Sequence, residues 1–267
     1  MQLPILPLLA FAPSLAASSG TLGFALGNKK TDGTCKFQPD WEADFSAINT
    51  DSGSKVVRIY AASDRDTAKS ILPAAEKTGG QYAPQYKDKV YAITVGSETL
   101  YRGNFTGETL LAKIKDTKSA VGSGFKVSTA ESWNKFMDGT ADALITGGAD
   151  ILLCDAFFCW QGQPIGNATA SFFDDITQAF GHIQSVAGSA PPELWVGETG
   201  WPSAGSTYQN AVPDMTSAKT YWDKAICGIL AWGVNVFFFE AFDEPWKPVS
   251  VGQDGSVADE THWGAWN

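Results

Sequence analysis

Seven short apolar runs rich in β-branched residues alternate with longer segments of helical periodicity, and this alternation constrains the fold most strongly. Strands that alternate with helices usually form a parallel sheet with the helices packed outside it, so the predicted fold class is α/β. The strands are predicted at residues 21–26, 55–60, 90–95, 126–129, 151–154, 194–197 and 234–239. The helices are predicted at residues 39–48, 67–76, 107–120, 137–146, 171–186 and 216–230.

Two architectures fit this alternation, a closed barrel and a doubly wound open sheet. An open sheet of that kind usually has a Gly-rich phosphate loop that opens a helix after the first strand. Gly20, Gly23 and Gly27 lie within or around the first strand and do not open a helix. Because the 267 residues contain no internal repeat or linker, a single barrel domain is the simpler prediction.

The N-terminal segment predicts secretion. Residues 1–17 are almost wholly apolar and end in Ser-Leu-Ala-Ala, which is typical of a signal peptide, although the usual basic start is missing and a buried N-terminal helix is the alternative. We expect residues 18–267 to form the mature domain, without a membrane span or lipid anchor. Asn104 and Asn167 begin glycosylation sequons, which agrees with secretion.

Charge and composition restrict the class of ligand. The formal net charge of -10 argues against nucleic acid, because affinity for phosphates depends on Lys and Arg. Ten Trp and sixteen Phe suit a cleft that binds the flat faces of sugars, although most such rings are expected in the core. A zinc site needs close pairs of ligands with histidine support, and the histidines of this sequence are His182 and His262, so we predict neither a metal nor a cofactor.

Two glutamates, Glu98 and Glu198, each follow an apolar strand and a nearby glycine. In a barrel they would lie at the C-terminal ends of the strands, where active sites form. Retaining hydrolysis of a glycoside requires one carboxylate as nucleophile and one protonated carboxyl group about 5–5.5 Å away. The alternative is that the glutamates only form structural ion pairs with Arg58 or Lys247.

The sequences around both glutamates closely resemble those of fungal members of glycoside hydrolase family 17, which are β-1,3-glucanases and β-1,3-glucanosyltransferases of the cell wall. The two motifs are Val-Gly-Glu-Thr-Gly-Trp-Pro-Ser at residues 196–203 and Ile-Thr-Val-Gly-Ser-Glu-Thr-Leu-Tyr-Arg at residues 93–102. Further similar segments lie at residues 57–64, 160–162, 171–175 and 239–247. The resemblance extends from about residue 20 to residue 266.

This resemblance implies a (β/α)8 TIM barrel, retention of anomeric configuration, Glu198 as nucleophile and Glu98 as acid/base. It also implies β-1,3-glucan as substrate, and we expect a monomer that is secreted to the cell wall. The residues implied to line the sugar subsites are Tyr60, Phe157, Glu244 and Lys247. For the two aromatic residues the alternative is core packing, and for Glu244 and Lys247 it is a local ion pair.

The chain departs from the family pattern directly before the strand that leads to Glu98. Relatives carry another strand and helix between segments similar to residues 72–76 and 86–90, whereas only residues 77–85 remain here. This agrees with a count of seven strands where a closed barrel has eight. We therefore predict a barrel that lacks about one strand–helix unit. Asp155 also stands where relatives usually have Asn.

An active hydrolase or transglycosylase is the leading hypothesis, because both glutamate motifs are intact. The first alternative is a wall-associated glucan-binding protein that has lost turnover together with the missing strand. The second alternative is an unstable fragment.

Overall fold

The computed structural model describes residues 19–60, 62, 64–78, 90–251 and 257–266. The predicted signal peptide and most of the segment where the missing unit is predicted lie outside these residues. All seven predicted strands are confirmed, with ends that differ by a few residues. The strands are β1 (Leu22–Leu26), β2 (Val57–Ile59), β3 (Ala92–Ser97), β4 (Lys126–Ser132), β5 (Ile151–Asp155), β6 (Glu193–Thr199), β7 (Asn235–Phe238), β8 (Ser250–Val251) and β9 (Val257–Ala258).

Strands β1 to β7 form one parallel sheet in the order β2-β1-β7-β6-β5-β4-β3, and β8 and β9 form a small antiparallel pair. Within the described residues, β2 has hydrogen-bonded strand pairing only to β1, and β3 only to β4. The sheet is therefore a curled, TIM-barrel-like sheet with an opening between β2 and β3. This is the position at which the sequence predicts a missing unit.

Helices cover the outside of the sheet. They are α1 (Gln38–Ser52), α2 (Thr67–Thr78), α3 (Gly107–Val121), α4 (Trp133–Met137), α5 (Asp142–Thr146), α6 (Ile165–Ala187), α7 (Met215–Tyr221) and α8 (Cys227–Ala231). A short 3-10 helix, Asp64–Asp66, precedes α2, and a π-helical turn, Trp222–Ile226, joins α7 to α8. Among the described residues, no helix has the length and apolar character needed to cross a bilayer.

The single helix predicted at residues 137–146 is wrong, because two short helices, α4 and α5, occupy this region. Gly139 lies between them with φ of 83°, a left-handed conformation that ends a helix and suits glycine. The Asp138 side chain accepts a hydrogen bond from the Thr140 amide at 2.9 Å, which stabilises the turn. The helix predicted at residues 216–230 likewise contains the π-helical turn.

Successive side chains of each strand point to opposite faces of the sheet, which produces two separate apolar layers. The larger layer lies between the sheet and the helices, with Phe24 and Trp41 fully buried in it. The smaller layer lies on the concave face of the sheet and consists of Ala130, Ile151, Leu153, Trp195 and Phe237. The concave face continues towards the C-terminal ends of the strands with charged residues, which places the site above an apolar base.

A cavity of about 610 Å³ extends from the concave face into the opening between β2 and β3. Its lining combines residues of the concave face, such as Trp195 and Phe237, with residues of α2, such as Ile71 and Ala75. In a closed barrel a strand would separate these two sets of residues. The cavity therefore marks the volume that an eighth strand and its side chains would occupy.

Candidate active site

The two predicted glutamates lie at the same edge of the sheet. Glu198 is the penultimate residue of β6, and Glu98 directly follows β3. The Glu98 amide donates to the carbonyl of Ala130 on β4 at 2.9 Å, and the Glu198 carbonyl accepts from the Ala156 amide at 2.9 Å. Each glutamate is thus fixed by the backbone of the neighbouring strand or of the loop that follows it.

Glu98 has an unusual backbone conformation. Its φ is 53°, and Gly96, two residues earlier, has φ of 75°. Left-handed residues other than glycine are uncommon and are often found at functional sites. This turn directs the Glu98 side chain to Arg102, whose Nη2 lies 2.6 Å from Oε2 of Glu98.

The Glu198 carboxylate is buried and forms an ion pair. Its Oε1 lies 2.9 Å from Nη1 of Arg58, and the residue is 7% exposed. Burial raises the pKa of Glu198, Arg58 opposes this effect, and the charge of Glu98 raises the pKa further. The two glutamates are therefore close enough to interact electrostatically, and the charge of Arg58 is the main influence that favours the ionised form of Glu198.

Arg58 connects several parts of the site. Its Nη1 also donates to the carbonyl of Gly197 at 2.8 Å, and its Nη2 donates to Oγ of Ser97 at 3.1 Å. Since Arg58 lies on β2 and Ser97 ends β3, this second bond crosses the opening in the sheet. The ion pair between a glutamate and Arg58, predicted as a structural alternative, is present, but it orients Glu198 within the site.

Asp155, at the end of β5, is a third carboxyl group in this cluster. Its Oδ1 lies 3.3 Å from Nη1 of Arg58, and its buried Oδ2 has no hydrogen-bond partner among the described residues. Burial raises the pKa of Asp155 well above its usual range, and the charge of Glu198 raises it further. A protonated Asp155 leaves one Arg58 charge facing one Glu198 charge, which is the least costly arrangement in a buried site.

Lys247, the second cation considered for the glutamates, pairs with other carboxyl groups. Its Nζ lies 2.7 Å from Oε1 of Glu240 and 3.1 Å from Oε2 of Glu244. Burial and the neighbouring charge of Glu244 raise the pKa of Glu240 to about 9. Gly27 lies against this cluster, and a Cβ at that position would displace the Glu244 carboxylate.

Phe239, which follows β7, brings three of the predicted sugar-binding residues together. Its ring lies 6.5 Å from that of Tyr60 and 5.4 Å from that of Phe157, centroid to centroid, and the Lys247 ammonium lies 4.5 Å from its centroid. The Phe239 amide donates to the carbonyl of Thr199, the residue after Glu198, at 2.8 Å. The four predicted subsite residues therefore lie around one edge of the sheet with the nucleophile candidate.

The sequence did not single out several residues of this site. The sequence pattern indicates Arg58 only as a structural partner and Asp155 only as a departure from relatives, and it does not indicate Glu240 or Glu260. Burial raises the pKa of Glu260, and its charge interacts with those of Lys247 and Glu98. The position of Arg58 in the sequence does contain a signal, because it lies between two apolar residues of β2. Those two residues face outward, so the alternation of side chains along a strand places the Arg58 cation on the concave face.

A curled parallel sheet with helices outside it, and two interacting carboxyl groups where its strands end, define a TIM-barrel-like glycoside hydrolase. A sequence model described as the BtgE/BtgC glycoside hydrolase domain matches residues 80–264. The family 17 β-1,3-glucanosyltransferase of Rhizomucor miehei superposes with a TM-score of 0.74 at 25% identity, over 91% of this chain and 92% of that chain. The chain belongs to glycoside hydrolase family 17.

Curated relatives agree with this assignment. The chain is similar to a glucan 1,3-beta-glucosidase of Arthroderma benhamiae, with 45% identity over 283 residues, 96% of this chain and 90% of the relative. It is also similar to a glucan 1,3-beta-glucosidase of Saccharomyces cerevisiae, with 40% identity over 289 residues, 96% of this chain and 90% of the relative. Both alignments are longer than the 267 residues of this chain, so these relatives contain segments that it lacks.

Proposed function

We propose that this protein cleaves β-1,3-glucan chains with retention of anomeric configuration, as an endo-acting hydrolase, a glucanosyltransferase or both. The observation that carries the proposal is the arrangement of Glu198, ion-paired to Arg58 at 2.9 Å and interacting with Glu98 at the same edge of the sheet. The relatives support the substrate, since they are named glucan 1,3-beta-glucosidases. A mutant of the Rhizomucor miehei glucanosyltransferase is known in complex with laminaritriose.

In the first step Glu198 attacks the anomeric carbon while Glu98 donates a proton to the leaving glycosidic oxygen. Arg58 favours the ionised Glu198 that this attack requires. The products of this step are a glycosyl ester of Glu198 and a shortened glucan with a free hydroxyl group.

In the second step Glu98, now ionised, removes a proton from the acceptor that attacks the glycosyl ester. Water as acceptor gives hydrolysis, and the 3-hydroxyl group of another glucan gives transfer. Formation of the ester neutralises Glu198, which removes the electrostatic penalty on the negative charge of Glu98. The balance between the two outcomes depends on how well the acceptor subsites hold sugar relative to water.

The proposed subsite residues have contacts that suit sugar binding. Phe157 and Tyr60 are partly exposed rings held by Phe239, so they can offer a flat face to a pyranose. Glu244 and Lys247 form a preorganised polar pair that can bind hydroxyl groups. Replacement of Phe157 by Ala is expected to raise KM for laminari-oligosaccharides more than it lowers kcat.

The decisive test is a time course with purified protein and laminari-oligosaccharides. Shorter products indicate hydrolysis, longer products indicate transfer, and proton NMR reports whether the β-anomer forms first. A Glu198→Ala variant should lose both activities, while Glu76→Ala, which changes an exposed glutamate on α2, should retain them. Activity that survives Glu198→Ala would exclude Glu198 as the nucleophile.

A glucan-binding protein without turnover is the second candidate, because the opening between β2 and β3 adjoins the strand that leads to Glu98. Such a protein would sediment with insoluble β-1,3-glucan and release no product. A cooperative thermal transition of the purified protein is expected under both functions and would be missing from an unstable fragment.

We also propose that the protein is a monomer secreted to the cell wall. The apolar residues 1–17 support export, and both predicted glycosylation acceptors, Asn104 and Asn167, are exposed. Cell-wall fractionation of the expressing fungus and treatment of the recovered protein with an endoglycosidase test location and glycosylation. Light scattering of the purified protein should give a mass close to 28.5 kDa, less the leader and plus any glycan.

A further inference from the structure

Glu131 is a buried carboxylate on β4 that the catalytic proposal does not use. It is fully buried, and its register partner on β5 is Cys154, which faces the helices. Glu131 therefore points away from the concave face where substrate would bind. Any effect of this residue on the reaction must act through another residue.

The Glu131 side chain binds the loop that directly follows Glu98. Its Oε1 accepts hydrogen bonds from Oγ1 of Thr99 at 2.8 Å and from the Leu100 amide at 2.9 Å. Its Oε2 accepts from the Tyr101 amide at 3.2 Å. One carboxylate thus satisfies donors on the three residues that come after the candidate acid/base.

This loop has little other support from the sheet. Within the described residues, β3 pairs only with β4, so strand support for the Glu98 turn comes from one side. Two consecutive β4 residues provide it, since the Ala130 carbonyl accepts from the Glu98 amide and Glu131 binds the next three residues. The left-handed backbone at Glu98 makes external support necessary, because this conformation is uncommon for residues other than glycine and persists only when its surroundings enforce it.

We propose that Glu131 is a positioning residue that holds the carboxyl group of Glu98 at the glycosidic oxygen. The inference rests on the proposed role of Glu98 as acid/base. Loss of the Glu131 contacts would let the turn relax, so Glu98 would donate its proton less effectively while Glu198 and Arg58 kept their positions. Misplacement of a catalytic group by about 1 Å can cost about 100-fold in rate.

The expected signature is a dependence on the leaving group. A laminari-oligosaccharide leaves as an alcohol and needs a proton from Glu98, whereas a dinitrophenyl β-glucoside leaves as a stable phenolate and needs almost none. Azide attacks the glycosyl ester without help from a base and releases a β-glycosyl azide and the Glu198 carboxylate. A defect confined to Glu98 should therefore be small with the activated substrate in the presence of azide.

The test compares Glu131→Gln with Glu98→Ala and with Asp150→Asn. The Gln variant keeps the shape of the side chain but replaces one accepting oxygen by an NH2 group. This group is a donor, so it cannot accept the hydrogen bonds of the loop. Asp150 is the matched control, because its carboxylate, like that of Glu131, accepts a hydrogen bond from a backbone amide. The donor is Val127 of β4, at 2.8 Å, at the end of the strand opposite Glu131. Thr99→Val, which removes only the hydroxyl donor to Glu131, is a second variant in case Glu131→Gln does not fold.

For Glu131→Gln we expect a fall of about 10- to 100-fold in kcat/KM on laminari-oligosaccharides and less than about threefold on the activated substrate with azide. Thr99→Val should show the same pattern with a smaller amplitude, and Asp150→Asn should not show it. Equal losses on both substrates for Glu131→Gln and Thr99→Val would overturn the inference. A Glu98→Ala variant without dependence on the leaving group would instead refute the proposed role of Glu98.

Discussion

The two glutamates lie at the same edge of one sheet, but their surroundings differ. Glu198 lies on β6, which is paired on both sides, and its buried carboxylate contacts Arg58. Glu98 follows β3, which among the described residues is paired on one side, and its carboxylate contacts Arg102 near the surface. The comparison suggests that the position of Glu198 depends on the fold as a whole, whereas that of Glu98 depends on a few local contacts.

The largest effect is expected for Glu198→Ala. We expect kcat on laminari-oligosaccharides to fall by about 10⁴-fold or more, because the variant lacks the attacking carboxylate and the covalent step is lost. With an activated aryl glucoside, azide should restore turnover and give the α-glycosyl azide, which NMR identifies. A β-azide from this variant would contradict the assignment.

Arg58→Gln should affect both regions, since Arg58 contacts Glu198 directly and reaches Ser97 of β3. We expect kcat to fall by about 100- to 1,000-fold. The free energy of unfolding should fall by about 3–5 kcal/mol, because the variant leaves buried carboxyl groups without their cation. Kinetics and urea denaturation measure the two effects. A loss of stability below about 1 kcal/mol would show that Arg58 does not link the two regions.

The pH dependence of stability should change in Asp155→Asn. Burial raises the pKa of Asp155 in the folded state. The contribution of Asp155 to the stability of the fold is therefore fully present below about pH 4, the usual pKa of a carboxyl group, and is lost as the pH rises through the raised pKa. The variant should therefore have a higher Tm than the parent at pH 8 and a similar Tm at pH 4.

Asp138→Asn is the control of opposite sign for this experiment. Burial alone would raise the pKa of Asp138, but hydrogen bonds from Thr140 and Lys135 outweigh it and lower the pKa. Its contribution is present above about pH 4 and is lost as the pH falls, so this variant should lose Tm at pH 8 and not at acid pH. The same pH trend in both variants would contradict the protonated state assigned to Asp155.

The smallest effect is expected for Arg102→Gln, although Arg102 contacts Glu98 at 2.6 Å. The Arg102 side chain is 62% exposed, and exposed ion pairs contribute about 1 kcal/mol or less. We expect less than about 1 kcal/mol of lost stability and less than about a threefold change in kcat/KM at moderate salt. A loss comparable to that of Arg58→Gln would mean that the two glutamates are supported equally.

The sequence predicted the strands well because their apolar runs are local signals. Both glutamates lie at strand ends as predicted, and the opening before β3 agrees with the departure from the family pattern at residues 77–85 and with the count of seven strands. The contacts of Arg58 with Asp155 and Ser97 were not predicted, since they join residues 97 and 39 positions apart and depend on the curvature of the sheet. Asp138 and Gly139 form a turn signal that could have corrected the helix predicted at residues 137–146.

The bond between Arg58 and Ser97 crosses the opening between β2 and β3, where a barrel would have a row of peptide hydrogen bonds. Backbone hydrogen bonds between two strands do not depend on any particular codon, and most substitutions of the residues that form them leave them intact. A side-chain contact is different, because one nucleotide change in the Arg58 codon can remove it. Among the described residues, this link between β2 and β3 therefore depends on the identity of residue 58.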